Sequence, residues 1–102
     1  MYSKGEGVPQ DYKEAASLYR KAAEQGNPDA QANLGIMYGT GQGVLQDNLL
    51  AHMWYNIGSA NGDEIGAKNR HLKAEEMSQE AIEKAQALAR QCMASDYQNC
   101  GG

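Results

Sequence analysis

The chain predicts an all-α fold, an α-solenoid built from antiparallel helix pairs. Three observations carry that prediction. First, the stretch from Met1 to Gly26 recurs 36 positions later, from Met37 to Gly62, without a gap. The identical pairs are Met1/Met37, Tyr2/Tyr38, Gly5/Gly41, Gly7/Gly43, Val8/Val44, Gln10/Gln46, Asp11/Asp47, Ala15/Ala51, Tyr19/Tyr55 and Gly26/Gly62. A period of about 20–50 residues marks stacked repeats that share one continuous core. Second, the segments between glycine-bearing turns carry apolar residues at helical spacing behind good N-caps. Third, the chain has no phenylalanine, one tryptophan and six tyrosines, and its 41% apolar share is rich in alanine. Small residues and amphipathic rings suit closely packed helices.

Each element follows from its punctuation. Asp11 is a good N-cap for a helix over 12–25, ended by Gly26, with Ala15, Leu18, Tyr19, Ala22 and Ala23 on one face. Asn27 caps a second helix that starts at Pro28, a favoured first-turn position, carries Ala30, Leu34, Ile36, Met37 and Tyr38, and stops at Gly39. Gly41-Gln42-Gly43-Val44 is then a glycine-rich loop whose valine plugs between the helices of a pair. Asp47 caps a third helix over 48–60, with Ala51, Trp54, Tyr55 and Gly58 facing inward and Gly62 as its stop. A fourth helix covers about 64–75. Ser78 caps a fifth that runs to about Ala94, with Glu80 in its first turn, where it complements the helix dipole. The polar tail over 95–102 reads as irregular.

At 102 residues the chain suits one domain of modest stability. The net charge of -4 argues against nucleic acid or an anionic membrane surface as partners, because both call for a basic face. No apolar run approaches the roughly 20 residues of a membrane helix, so no membrane insertion is expected. No basic segment precedes an apolar one at the start, so no signal peptide is visible. Met1-Tyr2 occupies the place that Met37-Tyr38 holds at the end of a helix, which reads as a chain opening inside a repeat.

The pattern Ala30-x3-Leu34-Gly35-x2-Tyr38-x2-Gly41-x-Gly43-Val44-x2-Asp47-x3-Ala51-x2-Trp54-Tyr55, closed by Gly62, resembles the Sel1-like repeat of bacterial type, a family related to the tetratricopeptide repeat. On that resemblance, 1–26 is a partial repeat, 27–62 a complete one, 63–94 a C-terminal helix pair that closes the array, and 95–102 a tail. The third unit departs from the pattern, with Gly66 at the place of Ala30 and Arg70 at that of Leu34. The stretch Met77-Ser78-x-Glu80-x-Ile82-x3-Gln86-x-Leu88-Ala89 looks like the terminal helix of many bacterial Sel1-like chains.

Features that suggest chemistry mostly reduce to structure. A dinucleotide fingerprint needs a preceding strand and a third small residue; here Gln10 and Gln46 stand in the third position. His52 and His71 have no paired ligand at i+3 or i+4 apart from Glu75 beside His71, and read as solvated. Trp54 and Tyr55 read as core. Arg70 reads as a cap, a partner for a carboxylate in the terminal helix pair, or an exposed side chain. Neither Ser-x-x-Lys, Lys-Thr-Gly nor His-Glu-x-x-His occurs, so no catalytic, metal or cofactor site is expected. Cys92 and Cys100 lack a zinc spacing. They are either free thiols or a disulfide formed when the tail turns back and lays Tyr97 against the last helix. A bridge weakly favours an extracytoplasmic setting, while in secreted Sel1-like families such pairs lie within each repeat.

A concave surface remains. By resemblance to tetratricopeptide units, the first helix of each pair lines it, through Asp29, Ala32, Ile36 and Thr40 in one helix and Ile65, Lys68, Leu72 and Glu75 in the next. The resemblance implies a non-enzymatic adaptor that offers this groove to a protein or peptide. A reading from another class, raised by secreted relatives linked to β-lactams, is a cell-envelope ligand binder or weak hydrolase. The uncovered N-terminal end, with Leu18 and Tyr19, is expected to promote self-association.

Overall fold

The structure, a computed structural model, describes residues 8–100, with side chains from Tyr12 onward. Expectations that concern Met1-Tyr2 and the loop through Gly5 and Gly7 lie outside these residues. Five helices follow one another: α1 (Val8–Glu24), α2 (Pro28–Thr40), α3 (Asn48–Ala60), α4 (Glu64–Ala74) and α5 (Gln79–Ala94). No strand occurs among the described residues. The arrangement is the expected all-α stack. α3 is its centre, packed by α2, α4 and α5, whereas α1 packs on α2.

The caps explain the boundaries. The Asn27 side chain accepts from the Ala30 amide at 3.0 Å, and Pro28 sits in the first turn, where its missing N–H costs nothing. Asp47 accepts from the amides of Leu49 and Leu50, both at 3.0 Å. Asp63 accepts from Ile65 and Gly66, and Ser78 from Ala81. Each satisfies amides that the helix leaves without intrahelical partners.

Two sequence expectations are corrected. Helix α1 starts at Val8, so Asp11 lies inside it and is no cap. Pro9 stands where the next repeat has Leu45, and proline in a first turn starts a helix early. Helix α2 runs through Gly39 to Thr40, and its stop is Gly41, at φ 77°. Leu18, expected to lack cover, is 62% exposed, and α1 buries Ala16 and Ala23.

The core gathers Ala23, Ala30, Leu34, Tyr38, Ala51, Met53, Trp54, Tyr55, Ile57, Ala89 and Cys92, with Val44 packed against it as a plug. Gly35 makes the α2–α3 contact close. Cys92 and Cys100 are joined in a disulfide, with Cα atoms 4.3 Å apart. The tail reverses through Asp96 and Tyr97, both in the left-handed region at φ 59° and 66°. The Tyr97 amide donates to the Cys92 carbonyl at 2.8 Å, and the Asn99 amide to Ser95 Oγ at 2.8 Å. The Tyr97 ring packs on the core, and its hydroxyl accepts from Asn61 Nδ2 at 3.0 Å.

Candidate functional site: the face shared by the second and fourth helices

Helices α2 and α4 run side by side in the same direction. Asp29 meets Asp63 at their starts. At their ends, a Cβ placed on Gly39 would lie 3.6 Å from Cε of Lys73. The Lys73 side chain is only 12% exposed. Its Nζ donates to Asn48 Oδ1 at 3.2 Å and to Glu76 Oε1 at 3.3 Å, tying the end of α4 to the start of α3. Gln46 Nε2 donates to the same Asn48 oxygen at 2.7 Å.

On this scaffold Asp29, Thr40, Ile65, Lys68, Leu72 and Glu75 are exposed and Ile36 is half-buried. Ala32 is 3% exposed and offers no surface; the Gly58 position packs against its backbone. Thr40 Oγ1 is spent on its own helix, donating to the Ile36 carbonyl at 2.9 Å. Glu75 faces His71 across 3.6 Å. Ile65, at 56% exposure, and Leu72, at 48%, are large apolar groups left open to water. Sequence reasoning missed Lys73, Asn48 and Asp63. The third was within reach, since Asp63 lies one 36-residue period after the capping Asn27.

A hydrogen bond with Asp63, and then repulsion between the two carboxylates, raises the pKa of Asp29 above its ordinary value. Asp63 also accepts from two amides, and Asp29 holds its proton more readily than a free carboxyl. The native state therefore binds this proton better than the unfolded chain. This contribution to stability falls as pH rises through the titration of Asp29. Water at this open edge keeps it small.

His52 is not solvated. It is 2% exposed, and its Nδ1 is buried without a hydrogen-bond partner among the described residues. Burial, and then the charge of Arg70, lowers its pKa below the ordinary 6.5. Arg70 is half-buried and donates to Asn56 Oδ1 at 2.9 Å, so its partner is an amide of α3 and not a carboxylate. The unfolded chain takes up the His52 proton first on acidification. Stability is then fully present above 6.5 and declines as pH falls toward the lower native value. Melting temperatures across this range should drop for the wild type, and the slope should flatten in His52→Gln. Equal slopes would show that His52 does not govern acid sensitivity.

Among the described residues no group of three or more His, Cys, Asp or Glu is placed to hold a metal ion, and no helix is long and apolar enough to cross a membrane. What the stack presents is a surface.

The fold and this face define a repeat protein of the α-solenoid class. The Sel1 repeat model matches residues 1–27 and 28–63, and the chain belongs to that family. It is 47% identical over 45 residues to an uncharacterized protein of Neisseria meningitidis serogroup B. The matched segment is 44% of this chain and 10% of that protein, so the chain spans a small part of its relative's length. No solved structure matches.

Proposed function

We propose that the chain is a non-enzymatic interaction module and that the face shared by α2 and α4 receives a protein or peptide segment. Exposure of Ile65 and Leu72 on one side of α4, beside α2, carries this reading. These two residues are seven positions apart, so they lie two turns apart on one helical face. Ile36 adds apolar surface from α2, while Lys68, Glu75 and Asp29 supply a charged rim. An apolar centre with a polar border fits an amphipathic helix or an extended segment. Peptides selected on the intact protein from a displayed random library provide the test. Ile65→Glu/Leu72→Glu should weaken their binding by at least about tenfold, which is about 1.4 kcal/mol, with the melting temperature nearly unchanged. Undiminished binding by this variant would move the site elsewhere.

The open side of α1 supports a second proposal. Leu18 and Tyr12, 62% and 36% exposed, make that helix a place for a second copy to dock, because exposed apolar side chains favour association. Sedimentation should show concentration-dependent dimers that Leu18→Glu abolishes. A monomer at every concentration would refute it. The disulfide supports an oxidising compartment as the working environment.

A further inference from the structure

Asn61-Gly62 is the single Asn-Gly pair in the chain, and it forms the turn between α3 and α4. Asn-Gly is the dipeptide most open to intramolecular deamidation, because glycine places no side chain near its attacking nitrogen. Asn61 and Gly62 are both exposed. A Cβ on Gly62 would meet nothing within 4 Å, and its φ is 102°. Water and base therefore reach the pair freely.

The reacting groups are nevertheless held apart by hydrogen bonds. The Gly62 amide, which must lose its proton to attack, donates to the Ser59 carbonyl at 3.0 Å. The Asn61 side-chain nitrogen donates to Gln31 Oε1 at 2.9 Å and to the Tyr97 hydroxyl at 3.0 Å. Gln31 is fully buried, and its own Nε2 donates to the Ala23 carbonyl at 3.0 Å. A polar chain thus runs from the tail through α3 and α2 to α1. Its outer end, Tyr97, sits two residues into a left-handed turn and three before Cys100.

We infer that Asn61 is a deamidation site held silent by the disulfide-closed tail, and that opening the tail exposes it to reaction. The Gly62 nitrogen, once deprotonated, attacks Cγ of Asn61; the new C–N bond closes a succinimide, and the side-chain nitrogen leaves as ammonia. Water then opens the ring at either carbonyl, giving aspartate or isoaspartate at position 61. The net change is one water consumed and one ammonia released, with no oxidant or reductant. While Tyr97 and Gln31 hold the amide, it must give up two hydrogen bonds before its carbon can approach the backbone nitrogen within the roughly 3–3.5 Å that reaction requires. The bridge limits how far Tyr97 can depart, so it acts as a positioning element for a residue it does not touch.

The product alters the fold at a specific joint. A carboxylate has no N–H to give, so Gln31 Oε1 is left facing another acceptor in a buried site, which is costly. Isoaspartate also adds a methylene to the main chain two residues before Asp63, the cap of α4. That displaces α4 against α2, and with it the face proposed for binding.

The test compares unreduced wild type with Tyr97→Phe and with Cys92→Ser/Cys100→Ser, incubated at mildly alkaline pH in heavy-oxygen water. Peptide mass spectrometry reads label uptake at position 61, and circular dichroism confirms that each protein stays helical. Uptake should be several-fold faster in Tyr97→Phe than in the wild type, and at least as fast in the cysteine variant. An unfolded peptide spanning residues 57–66 should exceed all three. Equal rates in the folded proteins would overturn the role of the tail. A wild-type rate equal to that of the peptide would overturn the protection altogether. Neither outcome bears on peptide binding, which is read separately.

Discussion

Gly43→Val should be among the most destabilising single changes in the described chain. Gly43 has φ 80°, and a Cβ there would run into the Tyr12 carbonyl and lie 3.2 Å from the Ala16 Cβ. The loop therefore rests directly on the α1 backbone. A valine fails twice. The left-handed conformation costs a non-glycine residue about 1–2 kcal/mol, and forcing the side chain against backbone adds about 1–3 kcal/mol. The sum is a large part of the stability of a small domain, which is about 5–15 kcal/mol. Gly43→Ala should lose nearly as much, since its Cβ meets the same carbonyl. Gln42→Ala next to it should change stability by less than about 0.5 kcal/mol. Thermal and urea unfolding of the three variants decide the matter. Small and equal shifts would mean that the loop has another way to pack.

That glycine was legible because the repeat displays it twice, as Gly7 and Gly43. The same comparison gave α3 its bounds, since Asp47 and Gly62 punctuate it cleanly. It failed for the start of α1, where Pro9 replaces Leu45 and changes which residue begins the helix. Leu18 and Trp54 hold one repeat position, yet one is 62% exposed and the other 1%. Pattern alone assigns both inward. The difference is tertiary: α3 has neighbours on three sides and α1 packs on α2.

The candidate face was legible in outline and not in detail. Resemblance to tetratricopeptide units selected Ile65, Lys68, Leu72 and Glu75, of which Ile65, Leu72 and Glu75 are exposed and Lys68 is open to the surface. It also selected Ala32, whose burial depends on how closely α3 approaches, a distance the resemblance does not supply. His52 was misread as solvated although it lies one period after Ala16, which is 5% exposed. Where the preceding unit has Leu34, Arg70 stands half-buried and donates to Asn56 Oδ1, whereas His52, in the place of Ala16, stays buried with its Nδ1 unpaired among the described residues.

Gly35→Val should separate α2 from α3 and cost about 3 kcal/mol, the upper end of the usual range for overpacking. Gly35 has no unusual backbone angle to protect; its role is room. A Cβ there would lie 2.6 Å from both Cδ1 and Cε1 of Tyr55 and 3.2 Å from the Ala51 carbonyl. Tyr55 is 5% exposed and cannot swing into solvent without emptying its place in the core. Helix propensity works in the opposite direction, since removing a mid-helix glycine gains up to about 1 kcal/mol. The collision exceeds that gain. A double-mutant cycle separates the two effects. Tyr55→Leu should itself destabilise the protein by leaving space, and Gly35→Ala in that background should cost less than in the wild type or even stabilise. A coupling energy of about 1–3 kcal/mol is expected for side chains in direct contact. Strict additivity would show that the helices already adjust to a side chain at position 35 and that the close approach of α2 and α3 does not depend on this glycine.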